Sequence, residues 1–323
     1  MKVIANTAPN QLTLLDYRLP EPGPGQVRIR TGAVGICATD LELIAGWERT
    51  GFPSVPGHEW AGHVDAVGAE VDLGLVGLRC VAENVLADGG EVGFEHPGAY
   101  GEYFLTEAHN IHPLPDHFSM TTAALIEPLA VVIRAVKRLR LSNSRRVLIS
   151  GDGPIGLLAL MLLRSVGVEQ IAMIGGRSGR LDLARDLGAA VTFNFTEFAD
   201  NLIPSVQEHF GAAVPSIVET SGSANGIHNA LQLLASEGQL LLIGDYKDAI
   251  ADFPWNLLVH REIELIGSNA SAGAWNEAVR LAIDERLPLN RLVSHIFPAL
   301  RFEESFALVR SQREDVVKVV LEW

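Results

Sequence analysis

The sequence predicts an α/β protein that contains a β-rich, barrel-like region and a parallel, doubly wound sheet. Residues 1 to about 115 contain short predicted strands separated by glycine and proline, as in the turn segment 21–25. From residue 121 the pattern changes to apolar strand segments that alternate with helical segments. Strands with period-two alternation between turn residues are typical of an all-β region, whereas alternating strands and helices are typical of a parallel sheet.

Local periodicity predicts the individual elements. Residues 26–30 show the alternation of a β-strand, and residues 123–139 show the periodicity of a helix. An apolar strand over 145–150 comes next. After it, helices and strands are predicted in turn at 155–166 (helix), 171–174 (strand), 181–187 (helix), 217–219 (strand), 227–234 (helix), 240–243 (strand) and 274–283 (helix). We expect the last apolar segment, 316–321, to be a strand that returns to the first domain.

The composition restricts the class of protein. The chain has 323 residues, of which 48% are hydrophobic and 20% are charged, so it is globular and long enough for two domains. Its formal net charge of −14 argues against nucleic acid or an anionic membrane surface as the main partner. No apolar run reaches about 18 residues and the N-terminal segment lacks the apolar region of a signal peptide. We therefore expect a cytoplasmic protein without a membrane span.

Two glycine-containing segments carry a candidate metal site. Cys37 lies in the segment 35–40, and His58 and Glu59 lie in the segment 57–71. A thiolate, an imidazole and a carboxylate form a ligand set that suits zinc. A single cysteine or histidine is more often a structural residue, but the joint pattern, with glycines in register, favours a metal site.

Both segments resemble the zinc-binding signatures of the medium-chain dehydrogenase/reductase family, the zinc alcohol and polyol dehydrogenases. The resemblance extends over nearly the whole chain. It implies a GroES-like β-barrel catalytic domain over 1–117 and 270–323, and a Rossmann dinucleotide-binding domain over 118–269. It also implies a homo-oligomer of two or four chains. In this family the residue at the position of Glu59 is a direct zinc ligand in some members and lies behind the ligands in others.

The resemblance also indicates a further ligand and the number of zinc ions. Glu127, in a Glu-Pro-Leu context, resembles the glutamate ligand of polyol and threonine dehydrogenases. The alternative for Glu127 is a carboxylate that is favoured at a helix N-terminus. Only Cys37 and Cys80 are present, so the chain lacks the four cysteines that hold a structural zinc in many zinc alcohol dehydrogenases. We expect one catalytic zinc ion per chain and no structural zinc.

The residues after Cys37 resemble the proton path of the same family. Thr39 resembles the hydroxyl that hydrogen-bonds the substrate oxygen, and Asp40 resembles the carboxylate that orients the histidine ligand. Many members carry a histidine five residues after the cysteine, where this chain has Glu42. Either Glu42 or water therefore passes the proton to solvent. His63, within the histidine motif, is expected to be structural.

A glycine-rich turn between a predicted strand and a predicted helix indicates a dinucleotide site. The turn has the sequence Gly151-Asp152-Gly153-Pro154-Ile155-Gly156. Gly151 makes the tight turn, Gly153 allows the pyrophosphate to approach the backbone, and Gly156 allows the helix to pack on the strand. The helix N-terminus provides amide donors for the phosphates. Ser221 and Gly244 follow later strands and resemble the loops that border the nicotinamide, although ordinary strand-end turns have the same pattern.

The end of the second strand of this sheet predicts a preference for NADP over NAD. NAD enzymes place an aspartate or glutamate there, about 20 residues beyond the glycines, to accept from the ribose 2′-hydroxyl. In this chain the predicted strand is followed by Gly175, and no carboxylate appears before Asp182. Gly175 would leave room for a 2′-phosphate that Arg177 and Ser178 bind. The alternative is that the arginine is a solvated surface charge.

These features together predict a zinc-dependent, NAD(P)-linked alcohol dehydrogenase. Its small-molecule substrate would be a secondary alcohol, polyol or sugar-like compound and the corresponding carbonyl. A zinc-free enone or quinone-type NADPH reductase of the same fold is one alternative, but such an enzyme would lack Cys37 and His58. A non-enzymatic nicotinamide-binding protein is the other, and it would show a missing ligand or a blocked cofactor loop.

Overall fold

The computed structural model describes residues 1–141, 146–211 and 213–323. The chain divides into two compact units, one formed by Met1–Glu127 with Trp275–Trp323 and the other by Pro128–Ala274. In these described ranges no helix combines the length and the apolar character that a membrane span requires. Arg145, the first residue of the strand predicted over 145–150, lies outside the described residues.

The first unit is mainly β-structure. It contains β1 (Lys2–Ala8), β2 (Gln11–Asp16), β3 (Gln26–Gly35), α1 (Ala38–Ala45), β4 (Glu59–Val67), β5 (Arg79–Ala82), β6 (Tyr103–Glu107), β7 (Ile111–Pro113) and α2 (Met120–Ala123). The helix α3 (Ile126–Val136) contains the boundary between the units.

The second unit alternates strands and helices. It contains β8 (Arg146–Ser150), α4 (Pro154–Ser165), β9 (Gln170–Gly175), α5 (Ser178–Asp186), β10 (Val191–Asn194), α6 (Phe195–Phe198), α7 (Leu202–Phe210), β11 (Val214–Glu219), α8 (Ala224–Leu233), β12 (Leu234–Leu242), α9 (Asn256–Arg261) and β13 (Glu264–Gly267). The chain then returns to the first unit with α10 (Trp275–Ile283), β14 (Val293–Pro298), α11 (Phe302–Arg310) and β15 (Lys318–Glu322).

The sheet of the first unit is organised around β3. Its strand order is β14-β15-β3-β4-β5-β7, and β6 also pairs with β3. The pairings of β3 with β4, β6 and β15 are antiparallel. Because the C-terminal strand β15 lies beside β3, residues from opposite ends of the chain meet in one sheet. The fully buried aromatic side chains Trp60, Tyr100, Phe104 and Phe306 belong to the apolar core of this unit.

The sheet of the second unit has six strands in the order β10-β9-β8-β11-β12-β13, and all their pairings are parallel. Its central strand β8 contains a continuous apolar run, Val147, Leu148 and Ile149, which are all fully buried. Such runs are expected where both faces of a sheet are covered. The strand order reverses beside β8, between its neighbours β9 and β11, and ligands of open parallel sheets bind at the carboxyl end of the strands at such a point.

Candidate metal and dinucleotide sites

Three potential zinc ligands lie together in the first unit. Ligand atoms of Cys37, His58 and Glu59 lie within 4.8 Å of one another. Cys37 lies between β3 and α1, His58 immediately precedes β4, and Glu59 is the first residue of β4. Since β3 and β4 are paired, the end of one strand and the start of the other bring the two segments together. His58 and Glu59 are buried and Cys37 is partly exposed.

Asp40 orders the residues around this cluster. Its carboxylate is completely buried and accepts hydrogen bonds from the Cys37 backbone N–H and the Tyr100 hydroxyl, each at 2.9 Å. The other Asp40 oxygen lies 3.1 Å from His58 Nδ1. Burial opposes ionisation of Asp40, but the neighbouring imidazole and these donors hold the pKa of the carboxyl below its usual value. A carboxylate that fixes Nδ1–H in this way leaves Nε2 of the imidazole as a metal ligand.

Glu59 is paired with a lysine that the sequence motifs do not indicate. Lys318 Nζ donates to both carboxylate oxygens of Glu59, at 2.8 and 2.6 Å, and also to the Ile36 carbonyl oxygen at 3.3 Å. The side chains of Lys318 and Glu59 are only 3% and 2% exposed. A buried charge requires such a partner. The signal in the sequence is a lysine at the start of the terminal strand, followed by three apolar residues.

Glu127 lies in the first turn of α3, where the charges of His58, Glu59 and Lys318 act on its carboxyl group. Burial raises the pKa of Glu127 to about 7, the charges of His58 and Lys318 oppose this increase, and Glu59 adds to it. Among the described residues, the three-donor cluster does not include Glu127. A buried carboxyl whose ionisation is disfavoured is stabilised in its charged form by a nearby cation. Together, Cys37, His58, Glu59 and Glu127 offer the thiolate, imidazole and carboxylate donors that zinc binds in proteins.

The predicted proton-path residues lie on α1. The Cys37 thiol donates to the Thr39 hydroxyl oxygen at a sulfur-to-oxygen distance of 3.7 Å. Thr39 and Glu42 are both partly exposed and are three residues apart, so they lie on one face of the helix. His63 is opposite Arg30 and Arg79 in neighbouring strands, and burial together with these two cations lowers the pKa of its imidazole.

The glycine-rich turn follows β8 in the second unit. Gly151 has φ +121, and a Cβ there would lie 2.4 Å from Thr220 Oγ1, so only glycine fits. A Cβ on Gly156 would lie 2.1 Å from the Gly151 carbonyl oxygen. Gly153, in contrast, is the N-cap of α4, and a Cβ there would meet no atom of the described residues within 4 Å. Pro154 and Ile155 follow it in the first turn, both partly exposed.

The strand end that was predicted to bind the 2′-phosphate already contains paired side chains. Arg177 donates through its guanidinium to Asp152 Oδ1 at 2.9 Å, and its backbone N–H donates to Asp152 Oδ2 at 2.8 Å. The Ser178 hydroxyl donates to Glu197 at 3.3 Å. The sequence prediction identified Arg177 and Ser178 but not the acidic partners of either residue.

A buried glutamate joins the two loops predicted to border the nicotinamide. Glu219 at the end of β11 accepts from the backbone N–H of Ser221 at 3.0 Å and from the Ser221 hydroxyl. The Tyr246 hydroxyl donates to the other oxygen of Glu219, and burial together with this carboxylate raises the pKa of Tyr246. Gly244 packs closely, because a Cβ there would lie 2.5 Å from the Gly222 backbone nitrogen.

Known proteins resemble this chain over its whole length. Family models described as an alcohol dehydrogenase GroES-like domain and a zinc-binding dehydrogenase match residues 23–116 and 154–284. D-Arabitol-phosphate dehydrogenase from Enterococcus avium is 29% identical, with 100% of this chain and 97% of that protein covered. Sorbitol dehydrogenase from Gallus gallus is 30% identical, with 96% and 93% covered. The crystal structure of galactitol-1-phosphate dehydrogenase from Escherichia coli is 25% identical, has a TM-score of 0.87 and covers 100% of both chains.

The chain belongs to the medium-chain dehydrogenase/reductase family, in its zinc-dependent alcohol and polyol dehydrogenase branch. It is an NAD(P)-linked oxidoreductase of the alcohol and polyol dehydrogenase class. The family and the fold class predicted from the sequence are thus confirmed.

Proposed function

We propose that the chain oxidises a secondary alcohol, polyol or sugar-like compound with a single catalytic zinc ion. Cys37, His58 and Glu127 would hold the ion, with the carboxylate of Glu59 beside them. The observation that carries this proposal is the cluster of Cys37, His58 and Glu59, whose ligand atoms lie within 4.8 Å of one another. When bound, zinc supplies Lewis acidity that polarises the oxygen of an alcohol or carbonyl group.

The residues around the ligands have defined tasks in this proposal. Asp40 keeps the His58 ring in one orientation through the contact at 3.1 Å. Lys318 balances the charge of the buried Glu59 carboxylate through contacts with both of its oxygens. Thr39 would accept the proton of the substrate hydroxyl through its own hydroxyl group, and Glu42 or water would pass that proton to solvent.

The turn of the second unit would bind the dinucleotide. The open space beside Gly153 leaves the start of α4 accessible from the turn that Gly151 begins. Pro154 has no N–H, so the donors there would be the backbone N–H groups of Gly153 and Ile155. The phosphates are attracted to that helix N-terminus. Ser221 and Gly244 would border the nicotinamide ring, and the contacts of Ser221 with Glu219 support a fixed loop there.

The preference for NADP over NAD stays a prediction. If Arg177 and Ser178 bind the 2′-phosphate, NADP should bind more tightly, and Arg177→Ala should remove much of the difference. The loss of a charge-assisted phosphate contact corresponds to roughly a ten- to hundredfold loss of affinity. A wild-type protein that binds NAD more tightly than NADP would contradict this preference. The cytoplasmic location and the assembly into dimers or tetramers also stay predictions.

A substrate screen tests the proposed function. Polyols, sugar alcohols, their phosphates and simple secondary alcohols are supplied with NAD or NADP, and the formation of reduced nicotinamide is followed. We expect turnover that is abolished by a zinc chelator. Chelator-insensitive reduction of enones or quinones by NADPH would instead support the zinc-free reductase. Tight dinucleotide binding without turnover of any alcohol or carbonyl compound would support a non-enzymatic protein.

A further inference from the structure

A carboxylate from the glycine-rich turn occupies the space beside the end of β9. A Cβ placed on Gly175 would lie 2.6 Å from the Asp152 Cβ and 2.7 Å from Asp152 Oδ2. Asp152 therefore fills the volume into which a side chain at position 175 would project. Dinucleotide-binding sheets of this type place at this strand end the acidic residue that accepts from the ribose 2′-hydroxyl. In this chain the negative charge reaches the strand end from the neighbouring turn.

Asp152 is fixed by several donors. Its Oδ2 accepts from the backbone N–H groups of Gly176 and Arg177 at 2.9 and 2.8 Å, and its Oδ1 accepts from the Arg177 guanidinium at 2.9 Å. Asp152 is 5% exposed. The Asp152 carboxylate thus accepts from the Arg177 guanidinium and from the backbone N–H groups of Gly176 and Arg177. A phosphate bound at this strand end would need the same donors.

The arginines around Asp152 make its charge important for the choice between a 2′-phosphate and a 2′-hydroxyl. Arg180 approaches the same carboxylate at 3.9 Å, and burial, with Arg177 nearby, lowers the pKa of Arg180 to about 10. Asp152 thus places a buried negative charge against the guanidinium groups of both Arg177 and Arg180. A 2′-phosphate would compete with Asp152 for Arg177 and would lie near a like charge, whereas a ribose 2′-hydroxyl would do neither.

We infer that Asp152 is a specificity-determining residue that weakens the binding of NADP relative to NAD. The inference rests on the proposed dinucleotide site and deepens it, because it assigns cofactor discrimination to a residue of the glycine-rich turn. Removal of the negative charge takes away the ion pair that Asp152 forms with the Arg177 guanidinium, with which a phosphate would have to compete. An asparagine at this position keeps the size of the side chain and one oxygen that can accept from the amides of Gly176 and Arg177.

The test is an equilibrium titration of the full-length protein with NADPH and with NADH, followed by the fluorescence of the reduced nicotinamide. In Asp152→Asn we expect the affinity for NADPH relative to NADH to rise roughly ten- to hundredfold, as for the gain of a charge-assisted contact. Asp182→Asn is the matched control. It removes the same charge from α5, but its carboxylate is 64% exposed and pairs with Arg185. The affinity ratio of this control should stay at the wild-type value.

The outcomes separate the inference from the proposed function. An unchanged or reduced NADPH-to-NADH affinity ratio in Asp152→Asn, with the thermal transition retained, would overturn the inference and leave the dinucleotide site in place. If the asparagine variant does not fold, Asp152→Ser carries the same expectation, since it also removes the charge. Failure of the wild-type protein to bind either dinucleotide would overturn the proposed function and the inference with it.

Discussion

The two cysteines of the chain have different environments at the residue scale. Cys37 is partly exposed beside His58, whereas Cys80 is fully buried in β5, and burial raises the pKa of its thiol to about 12. A thiol that does not ionise is a poor zinc ligand. We expect Cys37→Ala to lose zinc and activity together, as measured by elemental analysis and turnover. Cys80→Ala is the control and should keep its zinc while it loses about 1 kcal/mol of stability. A Cys37→Ala protein with a full complement of zinc would show that the thiolate is not a ligand.

Thr39 is expected to handle the proton without holding the metal. Thr39→Val keeps the shape of the side chain and removes the hydroxyl group near the Cys37 sulfur. Its kcat should fall by roughly a hundred- to ten-thousandfold, the range for a positioned acid or base, with the zinc content unchanged. Glu42→Gln should be milder and should mainly alter the pH profile, because water can replace the outer end of a relay. Full zinc with near-normal turnover in Thr39→Val would show that the proton takes another path.

At the scale of elements, the ion pair of Lys318 and Glu59 connects β15 with the start of β4. Lys318→Met would leave a buried carboxylate unpaired, and breaking a buried pair in this way costs about 3–5 kcal/mol. Urea unfolding should show this loss in the free energy of unfolding. Adding Glu59→Gln to this variant removes the unpaired charge and should recover much of the lost free energy of unfolding. A loss below about 1 kcal/mol in Lys318→Met would mean that the pair does not contribute to stability.

The glycine-rich turn allows a second comparison between similar substitutions. Gly156→Ala would bring a methyl group within 2.1 Å of the Gly151 carbonyl oxygen, so both thermal stability and NADPH binding should fall. Gly153→Ala has open space and should lose less than about 1 kcal/mol of stability, the cost of an alanine N-cap. Its affinity for NADPH should nevertheless decrease, since the methyl group occupies the space through which the pyrophosphate approaches the backbone. Unchanged binding by a folded Gly153→Ala variant would place the phosphates elsewhere.

Across the whole molecule, the sequence predicts long periodic elements better than short ones at sheet edges. The apolar strand β8 and the helix α4 are evident from their periodicity, and the glycine-rich turn between them indicates a site. The edge strands β10 and β13 have four residues each and lack the long apolar run of a central strand, so the pattern does not single them out. Local periodicity is a weak signal for such short segments.

The site was predictable where its residues belong to local motifs and not where they come from distant segments. Cys37, His58 and Glu59 were identified because glycine spacing marks them, and the structure brings their ligand atoms together. Lys318 is 259 residues from Glu59 along the chain, and only the pairing of β15 with β3 shows why it is buried there. Asp152 belongs to a recognised turn, but its contact with the end of β9 depends on the packing of two neighbouring strands.

The central claim is that a single zinc ion bound beside Cys37 and His58 is required for alcohol oxidation. The most direct test is elemental analysis of the purified protein combined with an NAD(P)-linked polyol oxidation assay before chelation, after chelation and after zinc is returned. We predict one zinc ion per chain, with activity that is lost on exhaustive chelation and restored by zinc. Two zinc ions per chain, or full activity after exhaustive chelation, would contradict the claim.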